Sequence, residues 1–190
     1  MTRPELWMCR HGETEWSRNG RHTSRTDLPL LDEGASRARA LADRLAGVEF
    51  DLVLTSPLER ARRTAELAGH PGAALDPDLR EWDYGDYEGL TTPAIRERVP
   101  GWSVWTHLSP GGETAEQVGS RADRVIERVR SAGVRRALVF SHGHFLRALG
   151  ARWIELPVPC GRHLVLGTGS LSVLGWERDV PAVERWNVGA

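Results

Sequence analysis

Short apolar runs alternate with stretches of helical periodicity along this chain, and that alternation restricts the possible folds most severely. LWMC (residues 6–9), DLVLTS (51–56) and RALVFS (136–141) read as strands buried on both faces, because their apolar residues are nearly continuous. Between them, residues 34–46 carry Ala35, Ala38, Leu41, Ala42 and Leu45 as one apolar stripe at helical spacing. Val118, Ala122, Val125 and Val129 form a second such stripe in residues 113–130. Ser56 followed by Pro57 predicts a capped helix running to about Ala68, and Thr92 with Pro93 repeats the signal before AIRERV. HGHFLRALGARWIEL continues the third apolar run as a helix, and GAALDPDL has room for one more short strand. SLSVLGW and AVERWNV alternate like two sheet strands near the end. The expected architecture is α/β, a three-layer sandwich with a mostly parallel central sheet flanked by helices on both faces. At 190 residues, with no repeat, low-complexity tract or linker, the expectation is one domain over 1–190.

Chemistry-bearing residues collect where the apolar runs stop. Arg10 and His11 end the first, Ser56 ends the second with Arg60 one turn into the helix beyond, and His142 and Gly143 follow the third. In open parallel sheets ligands bind at that carboxyl edge. The helix after Gly143 should point backbone N–H groups, including that of His144, at the same place, which favours an anion. Arginine's planar fork suits phosphate oxygens, so the convergence describes a phosphate pocket. A formal charge of −1 argues against a nucleic-acid partner. No run is long and apolar enough for a signal core or a membrane span, so no membrane partner and a cytoplasmic location are expected. Cys9 and Cys160 lack metal-ligand spacing, and no Asp/Glu/His set repeats at such spacing. Neither a metal nor any other cofactor is expected.

Taken in order, RHGETEW, TSPLERARRTA, LREWDYGDYEGL and FSHGH resemble the motifs of the histidine phosphatase superfamily, the phosphoglycerate-mutase-like fold, over essentially the whole chain. The resemblance implies that His11 is the nucleophile that becomes phosphorylated. It implies that Arg10, Arg60 and His142 hold the transferred phosphoryl group and that Glu81 is the proton donor. The residues suit that chemistry on their own account. A phosphate monoester needs an in-line nucleophile, fixed positive charge around the equatorial oxygens, and a proton for the leaving alkoxide. Tyr84, Gly143 and His144 are expected among the substrate-binding residues. Two positions depart from the family pattern. Ser17 stands where the family usually has asparagine, and its shorter hydroxyl is expected to make a weak contact. Thr23 and Ser24 replace the family's Q/S/T-G pair; Thr23 is expected to bind substrate, whereas the Ser24 side chain puts close backbone approach in question.

Mutases of this family carry a longer insertion after the glutamate motif. Here that stretch is short, with Arg96 and Arg98 as its cations, so hydrolysis is favoured over phosphoryl return. Trp102 and Trp105 divide evenly between an aromatic rim over a sugar and packing of the loop onto the sheet. EWDYGDYEG with SHGH resembles the branch of fungal sedoheptulose bisphosphatase and actinobacterial acid phosphatases, which implies a small phosphorylated substrate, a sugar phosphate or bisphosphate. The alternatives are a phosphoglycerate mutase and a non-catalytic phospho-ligand-binding member. The oligomeric state is open, a homodimer included.

Overall fold

Alternating side chains along one strand decide the layering. In the computed structural model, which describes residues 3–189, β1 (Glu5–Arg10) buries Leu6 and Met8 on one face and Trp7 and Cys9 on the other. The first pair packs with α5 (Ala115–Ser131) and α6 (Gly143–Trp153), the second with α2 (Asp32–Leu45) and α3 (Glu59–Leu67). A strand covered on both faces has to be apolar at every position, and LWMC is. The remaining elements are α1 (Glu15–Arg18), β2 (Leu52–Thr55), β3 (Ala74–Leu75), α4 (Thr92–Arg98), β4 (Arg136–Ser141), β5 (Leu171–Glu177) and β6 (Val180–Val188).

The sheet runs β3-β2-β4-β1-β5-β6. β1, β2, β3 and β4 are mutually parallel, while β5 is antiparallel to both β1 and β6. This is the expected α/β sandwich with a mostly parallel sheet. Register aligns the strand ends: Arg10 lies opposite Ser141, and Thr55 opposite Phe140. The polar residues after β1, β2 and β4 therefore emerge side by side. No helix among the described residues is long and apolar enough to cross a membrane.

Helix starts depart from the local reading in an instructive way. α3 begins at Glu59, and its first amide is capped by the Asp27 carboxylate at 2.9 and 3.1 Å rather than by Ser56. The Ser56 hydroxyl accepts from the Leu58 amide at 3.4 Å, one residue ahead of the helix, and its shorter contact is with His142 at 2.8 Å. At α4 the cap is Thr91, whose hydroxyl accepts from the Ala94 N–H, one residue earlier than the Thr92 signal. α5 starts at Thr114 with a full capping box to Gln117.

Candidate active site

The strand ends open into a cleft of about 260 Å³, lined among others by Arg10, His11, Glu81, Gly143 and His144. His11 sits just past β1, buried, with Nδ1 at 2.7 Å from the Gly12 carbonyl. A carbonyl only accepts, so Nδ1 carries the proton and Nε2 keeps its lone pair. Burial, and then the Arg60 and Arg10 cations, hold this imidazole well below its usual value of 6.5, so it stays neutral. Arg10 donates through Nη1 to the Leu166 carbonyl, while its buried Nε has no partner among the described residues. Its guanidinium lies flat against Gly143: a Cβ there would stand 3.1 Å from Cζ and 3.2 Å from Nε. Any side chain at position 143 would press on the guanidinium and push it aside by a few tenths of an ångström.

Arg60 and His142 lie deeper. Both are 0% exposed, and neither lines the cleft in this structure. Arg60 Nε donates to His142 Nδ1 at 3.2 Å, and its two other nitrogens donate to the carbonyls of Thr23, Ser24 and Thr26. His142 therefore accepts at Nδ1 and presents Nε2–H to Ser56. Burial and the neighbouring Arg60 keep it neutral. The rings of His11 and His142 are 5.2 Å apart. On the other face of the 23–26 loop, Glu88 accepts from the Ser24 and Thr26 amides and the Ser24 hydroxyl. The Ser24 side chain is thus absorbed by Glu88, outside the lining of the cleft.

The Glu81 carboxylate accepts from the amides of Trp82 (2.9 Å), Phe145 (2.8 Å) and His144 (3.1 Å). The expected free amides at the start of α6 are therefore largely spoken for, and that of Gly143 is the one left for a ligand among the described residues. The physical reason is the same dipole that favours an anion: here a carboxylate of the chain itself occupies it.

Tyr84 and His144 form a pair, with the phenol oxygen 2.6 Å from Nδ1. Burial and Glu81 push the phenol well above 10, and burial holds His144 well below 6.5, so both groups stay neutral and share one proton-bearing contact. His22 lies 4.6 Å from the Tyr84 ring and is pushed down to about 4 by burial. Trp102 and Trp105 are buried behind this layer, edge-on to His22 and His144. Of their two expected roles, packing is the one observed. Arg96 donates to the Trp102 carbonyl and does not line the cleft. Ser17 and Thr23 do line it. The Ser17 hydroxyl, however, is closed into a capping box with Thr14, donating to its carbonyl at 3.0 Å and accepting from its amide at 2.8 Å. Thr23 Oγ1 donates to the Arg21 carbonyl at 3.2 Å.

Two cations of the cleft escaped the sequence reading. Arg147 donates to the carbonyls of Gly161 and Arg162 and lies over the Trp105 ring at 4.7 Å; it follows Gly143 by one helical turn, and that spacing was the available signal. Arg21 stands at the mouth, and its sequence context carried no comparable signal. Among the described residues, Arg10, Arg21 and Arg147 line the cleft together with Glu81, its one carboxylate.

A neutral histidine with a free lone pair lies at the carboxyl edge of an α/β sheet, in a cleft of net positive charge that suits an anion. The sequence model of the histidine phosphatase superfamily (branch 1) matches residues 6–189, and the chain belongs to that family. It is 44% identical to an acid phosphatase of Mycobacterium tuberculosis, over 92% of this chain and 88% of that protein. To sedoheptulose 1,7-bisphosphatase of Saccharomyces cerevisiae it is 34% identical, over 82% of this chain and 69% of that protein. Matches extend to a protein named as a phosphoglycerate mutase. A solved structure of a functionally characterised open reading frame of M. tuberculosis superposes with a TM-score of 0.91 at 42% identity, covering 98% of each chain.

Proposed function

We propose that the protein hydrolyses small phosphomonoesters, a sugar phosphate or bisphosphate being the substrate class, through a phosphohistidine at His11. The observation that carries this reading is the His11 tautomer: Nδ1–H tied to the Gly12 carbonyl, and Nε2 free in an arginine-lined cleft. In the first step the Nε2 lone pair attacks phosphorus and the bond from phosphorus to the ester oxygen breaks. The departing alkoxide takes a proton from Glu81. In the second step water attacks phosphorus, Glu81 takes a proton from that water, and the N–P bond returns its electron pair to Nε2. Arg10, with its unpartnered Nε, stabilises the equatorial oxygens together with the Gly143 amide. Arg60 contributes its charge from beneath the floor. His142 would reach a phosphoryl oxygen by exchanging its Ser56 hydrogen bond for one to the substrate.

Hydrolysis is favoured over mutase action because residues 91–114 place no cation of their own over the cleft, which leaves the phosphohistidine open to water. The names of the phosphatase relatives point the same way. Arg147 and Arg21 supply positive charge beyond His11, where a second phosphate or a polyhydroxyl chain would lie. Arginine cations take the part that Mg²⁺ plays at other phosphoryl-transfer sites, so turnover is expected to survive exhaustive chelation. The deciding experiment screens phosphorylated metabolites by phosphate release and quenches the enzyme in base with labelled substrate. Label that is stable to base, lost in acid and absent from His11→Ala is expected; equal label on the variant rejects the reading.

A further inference from the structure

We propose that Arg121 and Glu113 are positioning residues for Glu81, a partly buried ion pair that clamps the backbone on both sides of the proton donor. The inference rests on the reading of Glu81 as that donor. Arg121, on α5, pairs with Glu113 through Nε and Nη2, both at 2.8 Å. Its remaining donor capacity goes to main chain: Nη1 to the Asp78 (2.6 Å) and Arg80 (2.9 Å) carbonyls, and Nη2 to the Glu81 carbonyl itself (3.3 Å). Glu113 holds the other side, its Oε2 accepting from the Asp83 amide at 3.0 Å. The Glu113 main chain adds two more ties, donating to the Asp83 carbonyl at 2.9 Å and accepting from Trp82 Nε1 at 3.0 Å. Residues 78–83 form no strand or α-helix across Glu81, so these bonds replace the ladder that regular structure would provide.

The same guanidinium reaches the other half of the Glu81 environment. It lies over the Phe145 ring at 4.7 Å, and the Phe145 amide is one of the donors to the Glu81 carboxylate. One cation thus sets the distance between the Glu81 backbone and the α6 terminus that holds its side chain. Behind Glu113 the chain is packed main chain to main chain: a Cβ on Gly112 would stand 2.4 Å from the Asp83 carbonyl oxygen. The strap of residues 110–113 therefore cannot slide without moving residue 83. A carboxylic acid displaced by a fraction of an ångström from a leaving oxygen loses efficiency in proportion to the charge developing there. Arg121 and Glu113 do not line the catalytic cleft; they line a second cavity of about 200 Å³, on the other side of Glu81 from His11, that shares Glu81 with it.

The test compares glycerol phosphate, whose alkoxide needs a proton, with p-nitrophenyl phosphate, whose leaving group does not. Glu113→Gln is expected to lower kcat/KM for glycerol phosphate by roughly tenfold to a hundredfold, with a loss of only a few-fold in the p-nitrophenol burst. In a Glu81→Gln background the same substitution is expected to add almost nothing, because no acid is left to position. Arg121→Lys keeps the charge but not the fork, and carries the same comparison should Glu113→Gln fail to fold. Equal losses on both esters, or full additivity with Glu81→Gln, would overturn the proposal while leaving the function intact. If Glu81→Gln itself treats the two esters alike, the proton-donor reading falls and the proposal falls with it.

Discussion

Replacing Gly143 by alanine separates stability from catalysis in a single methyl group. The position opens α6, where alanine is intrinsically the better helix former by up to about 1 kcal/mol. Its φ is not among the positive values, so no backbone strain opposes the change. The added Cβ would stand 3.1 Å from Arg10 Cζ, 3.2 Å from Nε and 3.3 Å from Nη2. Ordinary carbon contacts begin near 3.5 Å, so the guanidinium has to retreat by about half an ångström. Arg10 is tethered through Nη1 to the Leu166 carbonyl, and the retreat tilts Nε away from the phosphoryl position. A misplacement of about 1 Å costs on the order of a hundredfold in rate, so half of that corresponds to roughly tenfold, about 1.4 kcal/mol of transition-state stabilisation. The expected outcome is a kcat/KM for p-nitrophenyl phosphate lowered by roughly tenfold, weaker inhibition by inorganic phosphate, and a Tm equal to or above that of the unsubstituted protein. Unchanged kcat/KM and phosphate inhibition in a folded variant would refute the argument that Arg10 lies against this glycine to meet the phosphoryl group.

His11→Ala is expected to abolish turnover and His142→Ala to leave about 10²- to 10³-fold less, since the first forms the covalent bond and the second only stabilises charge; steady-state rates on one substrate check the difference. Glu81→Gln should cost far more with a sugar phosphate than in the burst phase with an aryl phosphate, and a burst of p-nitrophenol followed by slow turnover is its signature. Stability should fall as pH drops below 6.5, because His11, His22, His142 and His144 are all held below that value when folded, His22 at about 4. Above 6.5 both states leave these groups neutral. Below it the unfolded chain binds the protons first, at roughly 1.4 kcal/mol per group per pH unit. Tm measured from pH 7 to 5 should therefore decline, less steeply in His22→Gln, and a flat profile contradicts the buried neutral histidines.

Local pattern was enough to read the layers of this protein. The buried strands could be read because a sheet covered on both faces demands unbroken apolar runs, and the polar residues that end those runs mark its ligand edge. Arg10, His11, Arg60, Glu81 and His142 stand out in the sequence as candidates because each belongs to a short motif with neighbours in the chain. What local pattern did not contain is the set of partners, because these come from distant segments. The cap of α3 comes from Asp27 rather than from Ser56, whose hydroxyl makes its shorter contact with His142. The α6 amides expected to face a ligand are occupied by Glu81, more than sixty residues earlier in the chain. Sequence alone leaves Trp102 and Trp105 between rim and core, and the fold decides for the core by packing them against His22 and His144. Arg147 and Arg21 join the cleft only through the folded surface. Hydrophobic period is written residue by residue, whereas a buried polar group is satisfied by whatever donor or acceptor the packed chain brings within about 3 Å. That second kind of information exists only once the tertiary structure has formed.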